Sequence, residues 1–77
     1  MDELRIDRRQ DDEHGFHAHV TDRAGRMWEV VVAPRGSDHW VGEAGTGPRA
    51  PKIFRGTTRQ DVIDAALQHI RDQQPPQ

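Results

Sequence analysis

The strongest hydrophobic pattern lies near the C-terminus and predicts an amphipathic helix from about residue 58 to residue 73. Its apolar residues recur at the spacing of a single helix face, so one side can pack on a core while the rest meets water. These residues are Val62, Ile63, Ala66, Leu67 and Ile70. Thr57 with Gln60 fits a capping box at the helix start, and Pro75 cannot continue a helix.

Two upstream runs alternate apolar and polar residues with the period of strands that bury one face. The runs are Phe16, Ala18 and Val20, then Trp28, Val30 and Val32. A three-residue loop at 23–25, with Gly25 in the left-handed conformation, places both apolar rows on the same face and sets His19 opposite Glu29. A four-residue loop would place the rows on opposite faces, because a one-residue slip reverses every side chain. We therefore predict the three-residue loop.

Shorter patterns flank this hairpin. Leu4 and Ile6 alternate with charged residues and predict a short first strand, which the polar run at 10–15 ends in a turn. Residues 39–43 are long enough for a short fourth strand. The segment 44–52 is rich in Gly and Pro, a composition typical of an exposed, irregular loop.

These elements predict one small α+β domain over residues 1–77, an antiparallel meander of three to four strands with a C-terminal helix packed on one face. We expect order from about residue 3 to residue 73, with a brief extended segment at 53–54 and a frayed tail at 74–77. The expected core is Leu4, Ile6, Phe16, Ala18, Val20, Trp28, Val30, Val32, Val62, Ile63, Ala66, Leu67 and Ile70.

Composition narrows the functional classes. With 77 residues, 32% of them hydrophobic, the chain can form only a small core. It has no cysteine, no charged-then-apolar leader and no long apolar run, so we expect a cytoplasmic protein with neither a disulfide nor a membrane span. A formal net charge of −2 argues against a general polyanion binder.

The most suggestive chemical pattern is His17, His19 and Glu29. A His-x-His pair on a strand points both imidazoles to one face, and the predicted register adds the carboxylate opposite them. Two imidazoles and a carboxylate are suitable ligands for a divalent metal. An ordinary cross-strand polar pair explains the same pattern, and no fourth ligand is evident. We therefore predict no metal or other cofactor, and a metal-dependent activity at His17 and His19 ranks third among the functions considered.

Catalytic motifs are absent from the sequence, so we predict no enzymatic activity. Ser37 lies in a predicted turn beside Asp38 and His39, and neighbours in a chain seldom converge into a nucleophile, base and orienting group. The acidic run 11–13 lacks the apolar surroundings that would raise a carboxyl pKa for acid catalysis.

A basic segment before and at the start of the helix offers an anion-binding alternative. It holds Arg49, Lys52, Arg55 and Arg59 without an acid, and free N–H groups at a helix start favour anions. Over 52–70 this arrangement resembles the C-terminal half of double-stranded RNA-binding domains. The chain lacks that family's leading helix and lysine cluster, so we assign no membership.

One helix can cover only one side of a sheet, which leaves the other side as a candidate contact surface. The predicted register places His17, His19, Met27, Glu29 and Val31 there. We predict a small non-enzymatic interaction module that binds a partner protein or itself through this face or through an edge strand. The alternative is a domain that binds nucleic acid or phosphate, weakly, through the basic segment.

Overall fold

The computed structural model describes residues 4–47 and 50–73, which form five strands and one helix. In chain order they are β1 (Arg5–Asp12), β2 (Gly15–Thr21), β3 (Met27–Gly36), β4 (His39–Gly45), β5 (Lys52–Gly56) and α1 (Arg59–Asp72). The strands follow one another in a single antiparallel sheet in the order β1-β2-β3-β4-β5. The predicted α+β meander with a C-terminal helix is confirmed, with five strands in place of three or four.

The β2–β3 hairpin has the predicted register. Val20 lies opposite Trp28, and His19 lies opposite Glu29. Gly25 has a φ of 84°, and the backbone N–H of Asp22 donates to the carbonyl of Arg26 at 3.0 Å. The left-handed glycine therefore closes the three-residue loop, and both apolar rows lie on one face.

Strands extend into segments that were predicted as turn or loop. β1 continues through 10–12, with a register shift between Arg8 and Gln10 that marks a bulge. β4 extends to Gly45, and β5 begins at Lys52 and extends the predicted segment at 53–54 to a full strand. Backbone pairing accounts for these extensions, because a strand next to an existing strand gains its hydrogen bonds even where its side chains are exposed and give no alternating pattern.

The helix begins one residue later than its predicted cap. Thr58, not Thr57, is the N-cap, and its hydroxyl accepts from the backbone N–H of Asp61 at 3.0 Å. Gln60 makes no capping box with Thr57, because its amide donates to the Asp64 carboxylate at 2.7 Å. The tail predicted to fray at 74–77 lies outside the described residues.

The core lies between the sheet and α1, which packs on β3, β4 and β5. All predicted core residues are buried except Leu4, Ile6 and Leu67, which are half-buried against it, and Ala44 joins the core. Gly42 allows the helix to come close, since a Cβ there would lie 2.5 Å from Cγ1 of Val62. Among the described residues, no helix combines the length and the apolar character needed to cross a membrane.

Candidate functional site

The outer face, meaning the side of the sheet opposite α1, is covered by no described element. Side chains alternate along each strand, so this face takes the residues between the core positions. The register aligns one row across all five strands: Gln10, His17, Val31, Glu43 and Ile53. The next row is Asp7, His19, Glu29 and Gly45, and a third holds Arg5, Thr21 and Met27. The five residues predicted for partner binding therefore share one surface.

On β4 the alternation resolves which neighbour faces outward. Trp40 packs against the core on the helix side, and Val41 lies on the outer face. A shallow depression of about 190 Å³ there is lined by Val31, Ala33, Arg35 and Val41, among others. The outer face is thus mixed, with polar rows toward β1 and an apolar part toward β4 and β5.

At the centre of the outer face, Glu29 contacts both histidines. Its Oε2 lies 2.9 Å from Nε2 of His17 and 3.9 Å from Nε2 of His19. The shorter contact goes to the diagonal neighbour and not to the residue directly opposite, as long side chains in antiparallel pairs allow. The two rings lie edge to face with centroids 5.6 Å apart. The predicted His19–Glu29 pairing therefore extends to a three-residue cluster.

Arg9 is a functional candidate that the sequence pattern did not reveal. It lies in the β1 bulge between Arg8 and Gln10, and its Nε donates to Nδ1 of His19 at 3.4 Å. Its Nη2 also lies 3.5 Å from the Asp7 carboxylate. A bulge turns one extra side chain out of the regular alternation, which is why period-two reasoning could not place this guanidinium beside the histidines.

Next to the cluster lies a larger depression of about 450 Å³. His19, Met27, Glu29, Glu43, Gly45 and Pro51 are among the residues that line it. Gly45 stands opposite Glu29 and carries no side chain to fill the space. A ligand or a partner side chain could therefore approach Glu29 and His19 from this side.

The structure does not bring together the three predicted anion-binding residues that it describes. Arg49 lies outside the described residues. Lys52 pairs with Ala44 on the helix side of the sheet, whereas Arg55 pairs with Val41 on the outer face. Arg59 forms an ion pair with Asp11, and its guanidinium carbon lies 5.8 Å from the centre of the Phe16 ring. The acidic end of β1 therefore neutralises the cation at the helix start.

The two turns examined for catalysis are exposed. Ser37, Asp38 and His39 all lie at the surface where β3 meets β4. In the β1–β2 turn, the backbone N–H of His14 donates to the Asp12 carboxylate at 2.9 Å and lowers its pKa, with a smaller contribution from Gln10. A lowered pKa keeps this carboxylate ionised near neutral pH, which does not suit a proton donor.

No known protein family matches the chain, and searches of curated proteins and of solved structures likewise returned no match.

Proposed function

We propose that this chain is a small non-enzymatic interaction module, acting in the cytoplasm, which binds a partner protein or a second copy of itself through the outer face. One observation carries the proposal. The two large hydrophobic residues exposed in the described chain, Met27 at 60% and Ile53 at 46%, both lie on that face. Val31 lies in the same row as Ile53, Val41 lies in the row beyond it, and both are half-buried. Glu29 and Glu43 separate Met27 from this apolar part of the face. Exposed apolar residues that share a face with polar groups are typical of contact surfaces.

The dimensions of the face agree with a small, reversible interface. Five strands at about 4.8 Å spacing span roughly 19 Å, and seven residues at about 3.3 Å extend roughly 23 Å. A face of this size is smaller than one side of a standard protein interface, which buries about 800 Å² per partner. Its polar rows also distinguish it from the mostly apolar surfaces of obligate dimers. We therefore expect association that is weak enough to reverse.

The edges of the sheet support docking less well. β1 carries several charges of both signs and a bulge, two features that discourage pairing with another strand. β5 has five residues, with Lys52 and Arg55 among them. We therefore assign the contact to the outer face.

The decisive variant places charges on the contact surface without touching the core. Met27→Asp with Val31→Lys should abolish self-association, measured by light scattering, or capture of a partner from a lysate. Both side chains lie on the outer face, so far-UV circular dichroism should show a retained fold. All association measurements are made in buffer that contains EDTA, so that metal ions cannot contribute.

A matched control makes the same charge changes on the exposed side of α1, where Ala65→Asp with Gln68→Lys should leave association unchanged. Association that survives in the folded Met27→Asp/Val31→Lys variant would place the contact elsewhere. Loss of association in both variants would show a general charge effect and would equally count against the outer face.

A further inference from the structure

We propose that His17, His19 and Glu29 form a binding site for one divalent transition-metal ion, with Zn²⁺ as the representative. The three side chains each offer a ligand atom, and these atoms all lie within 4.8 Å of one another. The site goes beyond the proposed function, because it needs no partner protein. It also differs from the sequence-based expectation, which counted a missing fourth ligand against a metal.

The spacing of the ligand atoms suits a tetrahedral ion. Zn–N and Zn–O bonds of about 2.0–2.1 Å at tetrahedral angles separate ligand atoms by about 3.3 Å. The distances from Glu29 Oε2 to the two imidazole Nε2 atoms, 2.9 and 3.9 Å, lie on either side of that value. Small side-chain rotations are therefore enough to enclose an ion.

The backbone holds these side chains in place. His17 and His19 are two residues apart on β2, and Glu29 lies on β3 in the same ladder, so all three project from paired strands and not from loops. Open zinc sites commonly combine three protein ligands with a water in the fourth position. The adjoining depression beside Glu29 leaves room for that water, and the half-exposed histidines leave the ion a path from solvent.

Arg9 competes with the metal for His19. Its Nε donates to Nδ1 of His19, so in the neutral ring the hydrogen lies on Nε2, where a metal would bind. A metal at Nε2 requires the hydrogen on Nδ1, and Arg9 cannot donate to a nitrogen that carries one. The positive charge of Arg9 opposes the cation as well. Metal binding must therefore release Arg9, which can remain beside Asp7.

The first experiment removes the imidazoles. Titration calorimetry with Zn²⁺, and visible absorption with Co²⁺, should show one ion per wild-type chain. His17→Gln/His19→Gln should weaken binding at least ~10-fold, the scale on which even residues that support metal ligands act. His14→Gln/His39→Gln removes the same number of histidines from two exposed positions, the β1–β2 turn and the start of β4, and should bind as wild type. Failure of the wild type to bind, or equal binding by the two double variants, would overturn the site.

The second experiment tests the competition. Arg9→Ala should bind Zn²⁺ roughly five-fold more tightly, the effect of removing a unit charge that lies about 8 Å from a divalent ion in water, across the His19 ring. Arg8→Ala is the matched control, because Arg8 is the neighbouring residue but lies opposite Ala18 on the other face of the sheet. Equal affinity of the two variants would exclude His19 Nε2 as the ligand. Because partner association is measured in EDTA, failure of the metal site and failure of the proposed function are separate outcomes.

Discussion

Asp22 shows how one side chain can organise a whole turn. It is the only polar or charged residue that is buried among those the structure describes. Its Oδ1 accepts from the backbone N–H groups of Ala24 and Arg26, both at 2.9 Å. Its Oδ2 accepts from Nε of Arg26 at 3.0 Å and from the indole N–H of Trp28 at 2.9 Å. The loop and the largest core residue of β3 thus depend on the same carboxylate.

Replacing this carboxylate should therefore cost far more than an ordinary turn substitution. Asp22→Ala leaves the buried indole N–H of Trp28 without its acceptor, and an unsatisfied buried donor costs about 1–3 kcal/mol before the loop contacts are counted. We expect the free energy of unfolding to fall by at least ~2 kcal/mol, measured by urea denaturation followed by circular dichroism.

Two variants set the scale for that measurement. Asp22→Asn should also destabilise the fold. Its amide N–H₂ would take the place of the carboxylate oxygen that accepts from Arg26 and Trp28, so donors would face donors. Asp38→Ala, in the exposed β3–β4 turn, should stay within ~0.5 kcal/mol of wild type. Similar unfolding midpoints for Asp22→Ala and Asp38→Ala would contradict the role given to Asp22. The sequence predicted the loop but not this role, because the direction of the Trp28 indole depends on core packing and not on spacing.

At the scale of elements, the sequence predicted the amphipathic helix and strands and missed the strand segments that have no apolar face. β2, β3 and α1 each bury one face, so their apolar residues recur with the period of the backbone. β5 and the second half of β1 have mainly exposed side chains and owe their strand structure to backbone pairing with a neighbour. No side-chain pattern records such pairing, which explains why the fifth strand and the full length of β1 were not predicted.

Gly42 illustrates a different limit, because a glycine inside a strand ordinarily weakens it. In the structure it is the point where the helix meets the sheet, and an added Cβ would lie 2.5 Å from Val62 Cγ1 and 2.9 Å from Val32 Cγ2. Gly42→Ala should therefore destabilise the fold by about 1–3 kcal/mol, the usual cost of overpacking a core.

The control for this substitution is Gly36→Ala, where the nearest atom to the added Cβ is the Cβ of His39 at 3.9 Å. That variant should be neutral or slightly more stable, since alanine restricts the unfolded chain more than glycine does. Thermal unfolding of both variants checks the prediction. Gly42→Ala with a midpoint equal to that of Gly36→Ala would mean that α1 can move away from β4 at little cost.

On the scale of the whole molecule, the fold redistributes the charges that looked segregated in the sequence. Acids dominate the start of the chain and cations dominate 49–59, yet the structure pairs Asp11 with Arg59 and so joins the two regions. The cluster of His17, His19 and Glu29 could be predicted from the sequence, because the β2–β3 hairpin is local and its loop fixes the pairing of the strands. The Asp11–Arg59 contact links residues 48 positions apart and depends on how the helix docks, which spacing does not specify.

This redistribution makes nucleic-acid binding through the basic segment weak. With Arg59 neutralised, and with Lys52 and Arg55 on opposite faces of β5, one duplex can meet at most one of these three described cations. Counting Arg49, which lies outside the described residues, as a further contact gives two at most. Two phosphate contacts give a slope of about −0.9 × 2, near −1.8, in log affinity against log salt, whereas all four cations would give about −3.6. We expect at most the shallower slope when labelled DNA and RNA duplexes are titrated at low and near-physiological salt.

Arg55→Glu should therefore change duplex binding little more than Arg71→Glu, which makes the same charge change in the exposed last turn of α1. The contrary result would be tight binding by the wild type with a slope near −3.6, lost in Arg55→Glu and kept in Arg71→Glu. It would mean that the cations of the basic segment act together. The Asp11–Arg59 pair would then have to open to release a cation to the phosphates, and Asp11→Asn should strengthen binding. In that case the anion-binding function would replace the proposed interaction module, whereas two variants that bind equally weakly would count against the basic segment as a nucleic-acid site.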